Sequence, residues 1–290
     1  MSMRALLAVL DHQAPNRSLL ETACAFGARW QARLEAILPY PGVWNRQLLA
    51  IADDTMRENI ERVVGEARDS EEAFVEKARR EFEDCCRRFR LPVVANDEAP
   101  RPCARWHAYP DIERGREVVR QARFADLVLV QRTIVQSGAD YEDLVNHVVD
   151  GAGRPILLVP PRPAADAGAR IAIAWNGSAE SARAVSAALG LIGAAEAVDI
   201  LTAESQRTPG AVGRKLATYL ACHDVKAARH VLTGQRNRSV GEAILDKCLE
   251  LGSDLLVMGA YTHTRLQERV FGGVTRHVLS HAGLPVLMAH

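Results

Sequence analysis

The end of the chain repeats its own middle. Residues 145–160 read VNHVVDGAGRPILLVP and residues 275–290 read TRHVLSHAGLPVLMAH, identical at six of sixteen positions, where chance gives about one. The segments before them also pair: ADLVLV at 125–130 with SDLLVM at 253–258, keeping Asp126 and Asp254 in register. At the starts, RALLAVLD ending at Asp11 pairs with RIAIAWN ending at Asn176. The halves are offset by 165 residues at their starts (Asp11 to Asn176) and by 128 near their ends (Asp126 to Asp254), so the first half holds 37 extra residues. A 290-residue chain built from one repeated unit is read as two domains of one fold. Pro160-Pro161-Arg162-Pro163, then Ala-Ala-Asp-Ala-Gly-Ala, reads as a proline-stiffened linker without apolar periodicity. The expected domains are 1–160 and 169–290.

Each half alternates short apolar runs with helical patterns. In the second half, strands are expected at Arg170–Trp175, Ala197–Thr202, Ala227–Leu232, Leu255–Met258 and Pro285–Met288. Helices are expected at Glu180–Leu191 behind an N-cap at Ser178, at 209–223, at Val240–Leu251 before Gly252, and at Val274–His281. This alternation implies parallel strands, right-handed crossovers and helices on both faces. The extra residues, roughly 42–69, read as an additional helix or a helix with a long loop, with Leu48, Ile51, Met56, Ile60 and Val63 at helical spacing. The Arg-rich stretch Lys77–Arg90 reads as a solvated helix face.

Composition narrows the function classes. Lys+Arg and Asp+Glu are both 36, so there is no basic excess of the kind a general nucleic-acid or anionic-membrane binder carries. No run approaches the ~20 apolar residues of a membrane span. The apolar run from Ala5 to Leu10 is too short for a signal-peptide core and meets Asp11 at once. A cytoplasmic protein is expected. The six cysteines form no C-x-x-C pair and read as reduced, mostly buried thiols. Cys85-Cys86 could be redox-active, but no sequence neighbour marks a lowered pKa. There is no P-loop motif and no G-x-S-x-G. His277 and His281, four apart with His263 and His290 as further candidates, have a spacing that can bind zinc. Because His147 aligns with His277 in a half that has Gly151 in place of His281, a packing role is the simpler reading and no metal is expected.

In doubly wound sheets, ligands bind beyond the carboxyl ends of the strands, at the switch point. In the second half that end carries Trp175-Asn176-Gly177-Ser178 and the long loop from Gly259 to Thr275. Gly272-Gly273 before a helix N-terminus makes a phosphate cradle in principle, with Thr275, Arg265 or Arg269 adding donors; alternatively the glycines only make a tight turn.

The segments MGAYTHTRLQERVFGGVTRHVLSHAGLPVLMAH and WNGSAESARAV resemble the universal stress protein family. Nucleotide-binding members carry G-x-x-G, nine residues, then G-[ST]. The resemblance covers nearly all of the chain except about 42–90. It implies two tandem α/β Rossmann-like domains, each a doubly wound five-stranded parallel sheet of order 3-2-1-4-5, related by a pseudo-two-fold. It implies pairing of the halves through their last strands as an intramolecular pseudo-dimer, with a homodimer of chains optional. It also implies an ATP or AMP site formed by Ala174, Trp175, Asn176, Gly177, Ser178, Met258, Gly259, Arg265, Gly272, Gly273, Val274 and Thr275.

Departures from the pattern are specific. Thr262 replaces the second glycine, Gly273 the Ser/Thr, and Asn176 the acidic residue. The first half keeps Asp11 but has Gln131, Ile134 and Glu142-Asp143 in the aligned loop. Carboxylates at the glycine pair oppose phosphate, so any nucleotide is expected only in the second half. Glu268 is the only carboxylate of the second loop, so no catalytic residue is assigned. A non-enzymatic stress-response module leads; a slow ATP hydrolase and a ligand-free scaffold are the alternatives.

Overall fold

The computed structural model describes residues 3–12, 14–40, 54–96, 99–110, 115–132, 144–145, 147–149, 151–203, 211–232, 239–260 and 273–290. In chain order the first half gives β1 (Ala5–Val9), α1 (Arg17–Arg29), β2 (Arg33–Tyr40), α2 (Asp54–Arg88), β3 (Cys103–Pro110), α3 (Arg116–Ala122), β4 (Leu127–Gln131) and β5 (Ile156–Val159). Helical backbone also occurs at 144–145 and 147–149. The second half gives β6 (Arg170–Ala174), α4 (Ala179–Ile192), β7 (Ala197–Ala203), α5 (Ala211–Ala221), β8 (Ala228–Leu232), α6 (Val240–Glu250), β9 (Leu255–Gly259), α7 (Gly273–His281) and β10 (Val286–Ala289). These match the expected elements of the second half to within two residues at each end.

All ten strands form one sheet, ordered β3-β2-β1-β4-β5-β10-β9-β6-β7-β8. Each half has the order 3-2-1-4-5, and pairing within each half is parallel. The one antiparallel join among them is β5 with β10, with Val286 opposite Leu158, Leu287 opposite Leu157 and Met288 opposite Ile156. Both strands are apolar and buried throughout. Left unpaired they would be open sheet edges, and each covers the other.

The strands run apolar on both faces because helices cover both. Leu6, Ala8, Leu127, Leu129, Leu255, Val257 and Leu287 enter one core layer with α1, α2, α4 and α5. Their alternates Leu7, Val9, Val128, Val130, Leu256, Met258, Val286 and Met288 enter the other, with α3, α6 and α7. Both layers run unbroken across the β5–β10 join.

The same device starts each half. The Asp126 carboxylate accepts the N–H groups of Arg4 (2.7 Å) and Ala5 (3.0 Å) at the head of β1. Asp254 accepts those of Gly168 (2.9 Å), Ala169 (3.1 Å) and Arg170 (3.0 Å) at the head of β6. Each aspartate ties the strand it opens to the first strand of its half.

Where the extra residues of the first half are described they are helical, as the sequence suggested. Residues 41–53 lie outside the described residues, and from Asp54 a single 35-residue helix runs to Arg88. Val63, read as an apolar-face position, is 54% exposed. Among the α2 residues whose burial is described, the buried ones come late, at Ala78, Phe82, Cys85 and Cys86, in a helix that spans ~50 Å at ~1.5 Å per residue. Pairs four apart, Arg62–Glu66, Arg68–Glu72 and Arg79–Glu83, line its exposed surface. The linker is not a free spacer either. Ser18 Oγ donates to Pro161 O, Ala164 N–H to Thr22 Oγ1 (3.1 Å) and Arg29 Nη1 to Ala167 O (3.0 Å), which pins it along α1.

Candidate functional site

The switch point of the second half lies between β6 and β9, which pair in parallel with Ala174 opposite Met258. The chain leaves β6 through Trp175-Asn176-Gly177-Ser178. Asn176 is exposed and its Oδ1 accepts the Ser178 N–H (3.0 Å). Gly177 follows with φ +77°, a conformation that favours glycine. Ser178 then caps α4, its Oγ accepting the Ser181 N–H (3.2 Å) while Ser181 Oγ donates back to Ser178 O (2.9 Å). Trp175 packs against the core, and its Nε1 is buried with no hydrogen-bond partner among the described residues.

On the β9 side, Met258 is buried and Gly259 ends the strand. A Cβ on Gly259 would lie 2.6 Å from Ser181 N, 2.8 Å from the Glu180 carbonyl carbon and 2.9 Å from Glu180 Cβ. The glycine therefore seats the first turn of α4 on the end of β9. Gly273 opens α7 and is different: a Cβ there meets nothing within 4 Å. Val274 is half-buried and Thr275 buried in the next positions. Arg265 and Gly272, and with them Thr262 and most of the glycine loop, lie outside the described residues, as do Glu142 and Asp143.

Sequence reasoning missed Glu180 and offered His290 only as a zinc candidate. The Glu180 carboxyl is held below the ordinary carboxylate range by its own backbone N–H, and then by the Ser178 hydroxyl, Arg183 and His290, against the burial that pushes it up. Arg183 Nη2 stands 3.0 Å from Glu180 Oε1. An acidic residue just inside an N-cap serine was the available signal, since carboxylates favour the positive end of a helix. The Glu180 carboxylate thus borders this cleft.

In the first half Asp11 is buried, 1% exposed, and its backbone is locked by Asn16, whose side chain bonds both the Asp11 N–H and its carbonyl. Among the described residues no group of three or more His, Cys, Asp or Glu could hold a metal ion. His277 packs where a Cβ on Gly241 would meet it at 2.8 Å and stacks on His281, ring centroids 4.3 Å apart. It serves the close crossing of α6 and α7. No helix among the described residues is long and apolar enough to cross a membrane.

The family model for universal stress proteins matches residues 169–290. No curated protein matches the chain. Among solved structures, a universal stress protein from Archaeoglobus fulgidus is similar over 97% of both chains, with a TM-score of 0.64 at 12% identity. A Pseudomonas aeruginosa protein described as a universal stress protein is similar over 99% of this chain and 92% of its own, with a TM-score of 0.60 at 18% identity. A Pseudomonas aeruginosa protein of unknown function gives 99% and 92%, with a TM-score of 0.58 at 16% identity. Residues 169–290 match the universal stress protein family model, and across its whole length the chain has the fold of these neighbours.

Proposed function

We propose that this chain is a tandem universal stress module that binds one adenine nucleotide, ATP or AMP, in the cleft of its second half and does not turn it over. The observation that carries this reading is the turn Asn176-Gly177-Ser178 at the carboxyl end of β6, beside β9, the strand that leads into the glycine loop and α7. That is where open α/β sheets take ligands. Asn176 offers an exposed amide, Trp175 a donor in need of an acceptor, and the N-terminus of α7 a partial positive charge for phosphate. The remaining contacts would come from Arg265, Gly272, Gly273 and Thr275. In the first half, Glu142-Asp143 in place of the glycine pair opposes phosphate, so one nucleotide per chain is the expectation.

Equilibrium binding of labelled ATP and AMP to the purified chain, followed by a hydrolysis assay, tests this. The expected outcome is one site per chain, no turnover, and loss of binding in the double variant Gly272→Glu, Gly273→Asp, which copies the first half into the second. Equal binding by that variant, or phosphates placed against Glu142, would refute the cradle. Turnover would favour the hydrolase, with Glu180 the first carboxylate to test. No binding would leave a scaffold.

Domain limits of 1–160 and 169–290, and an intramolecular pseudo-dimer, are part of the proposal. The antiparallel β5–β10 pairing supports both. Sedimentation at the 31.7 kDa of one chain would show that no second copy is needed. Six cysteines outside any disulfide support a reducing, cytoplasmic compartment.

A further inference from the structure

Three of the six thiols meet at one place. Cys24 on α1 and Cys85 and Cys86 on α2 are all buried, at 0%, 1% and 0% exposure. Cys24 Sγ lies 3.8 Å from Cys86 Sγ, and Cys85 is its second thiol neighbour. Adjacent helix residues point ~100° apart, so Cys85 and Cys86 are poorly placed to join each other, and Cys24 stands against both. Their surroundings differ. Cys85 lines a cavity of about 640 Å³ with Arg17, Leu20, Glu81, Arg87 and Arg88. Arg88 lines the same cavity as Cys85 and is fixed by Glu21 Oε1 at 2.9 Å, which Arg17 shares at 2.9 Å.

We propose that Cys85 is a peroxide-reactive modification site, with Cys24 as the thiol that resolves it into a disulfide tying α1 to α2. The cavity admits a small oxidant, Arg88 favours the thiolate, and Cys24 waits within reach as a donor. The hydrogen bond from Cys24 and then the charge and hydrogen bond of Arg88 hold the Cys85 thiol below its ordinary value, against burial and Glu21. Cys24 is pushed up by its hydrogen bonds to Cys85 and Cys86 and by burial, so it stays protonated until the second step. In that step Cys24 passes its proton to the departing hydroxyl, so that it attacks with thiolate character.

The chemistry balances with hydrogen peroxide as oxidant. The Cys85 thiolate attacks one peroxide oxygen, the O–O bond breaks, and the departing hydroxide takes a proton and leaves as water. Cys85 is then a sulfenic acid. Cys24 sulfur attacks Cys85 sulfur as it gives up its proton. The S–S bond forms, the S–O bond breaks, and the hydroxyl leaves with that proton as a second water. Two thiols lose two hydrogen atoms, and two electrons reduce peroxide to two waters. The sulfurs must close to ~2.05 Å, a side-chain movement rather than a refolding.

The test uses the full reduced chain, with exposed Cys222 and buried Cys248 as internal controls. After hydrogen peroxide, quenching, unfolding and peptide mass analysis, we expect the Cys24 peptide joined to the Cys85-Cys86 peptide while Cys222 and Cys248 remain reduced. A bulky maleimide on the folded protein should reverse the order, taking Cys222 first, because only a small reagent reaches Cys85. Cys24→Ser should accumulate a dimedone-trappable sulfenic acid at Cys85, and Arg88→Gln should slow peroxide consumption there at least about tenfold. Oxidation of Cys222 ahead of Cys85 in the wild-type chain would overturn the proposal without recourse to any variant. So would a Cys85→Ser chain that still joins Cys24 to Cys86 at the wild-type rate.

Discussion

Replacing Gly259 with alanine separates a packing glycine from a ligand glycine. The family pattern places Gly259 first in a nucleotide loop, yet the structure puts α4 directly on it. An alanine Cβ would sit 2.6 Å from Ser181 N and 2.8 Å from the Glu180 carbonyl carbon, against the 3.4 Å at which ordinary contact begins. The end of β9 and the first turn of α4 must therefore separate by about 0.8 Å, and both obstructing atoms are backbone, so no rotamer change relieves the clash. Overpacking of this kind costs about 1–3 kcal/mol. The shift also stretches the Ser178 cap, worth about 1 kcal/mol. We expect Gly259→Ala to lose about 2–4 kcal/mol, moving a urea midpoint down by about 1 M at a slope of about 3 kcal/mol/M. Gly273→Ala is the control: its Cβ meets nothing, so stability should hold or rise by a few tenths of a kcal/mol. A Gly259→Ala midpoint within about 0.5 kcal/mol of wild type would refute the packing argument. If such a variant also lost nucleotide binding, the glycine would be serving ligand approach instead.

Asp254→Ala leaves three strand N–H groups without their acceptor and should cost about 2–3 kcal/mol by urea unfolding, more than Asp126→Ala, which frees two. Glu35 governs part of the acid limb. Burial pushes its carboxyl up, but His107 (2.6 Å) and Arg33 outweigh that and hold it below 4.5. A depressed folded value stabilises the protein above the unfolded one and is lost as pH falls through the folded one, so Glu35→Gln should flatten the fall in urea midpoint between about pH 5 and pH 3. An unchanged slope would count against it. Burial, and then Asp199, push the Cys248 thiol up to about 12, so alkylation of Cys248 at neutral pH should track global unfolding rather than thiolate formation.

The sequence by itself determined the repeated α/β plan, because strand and helix periods, the Ser178 cap and the glycine at 252 are local signals that need no distant partner. It also placed the turn that follows Ala174 at the carboxyl end of β6. Internal symmetry reaches further than the eye follows in the sequence: Glu35 with His107, and Asp199 with His230 at 2.7 Å, are the same carboxylate–histidine pair at the same register of the two outer strand pairs. That pairing, read across β-strands, was invisible to a comparison along the chain. Tertiary structure decided what depends on contact between distant residues. It set the length and exposure of α2, since an apolar position such as Val63 is buried only if something lies opposite it. It gave Gly259 its neighbour in α4, 78 positions back at Ser181. It brought Cys24 to Cys86, 62 residues away. Periodicity tells a residue which face it occupies; only the packed chain decides what that face meets.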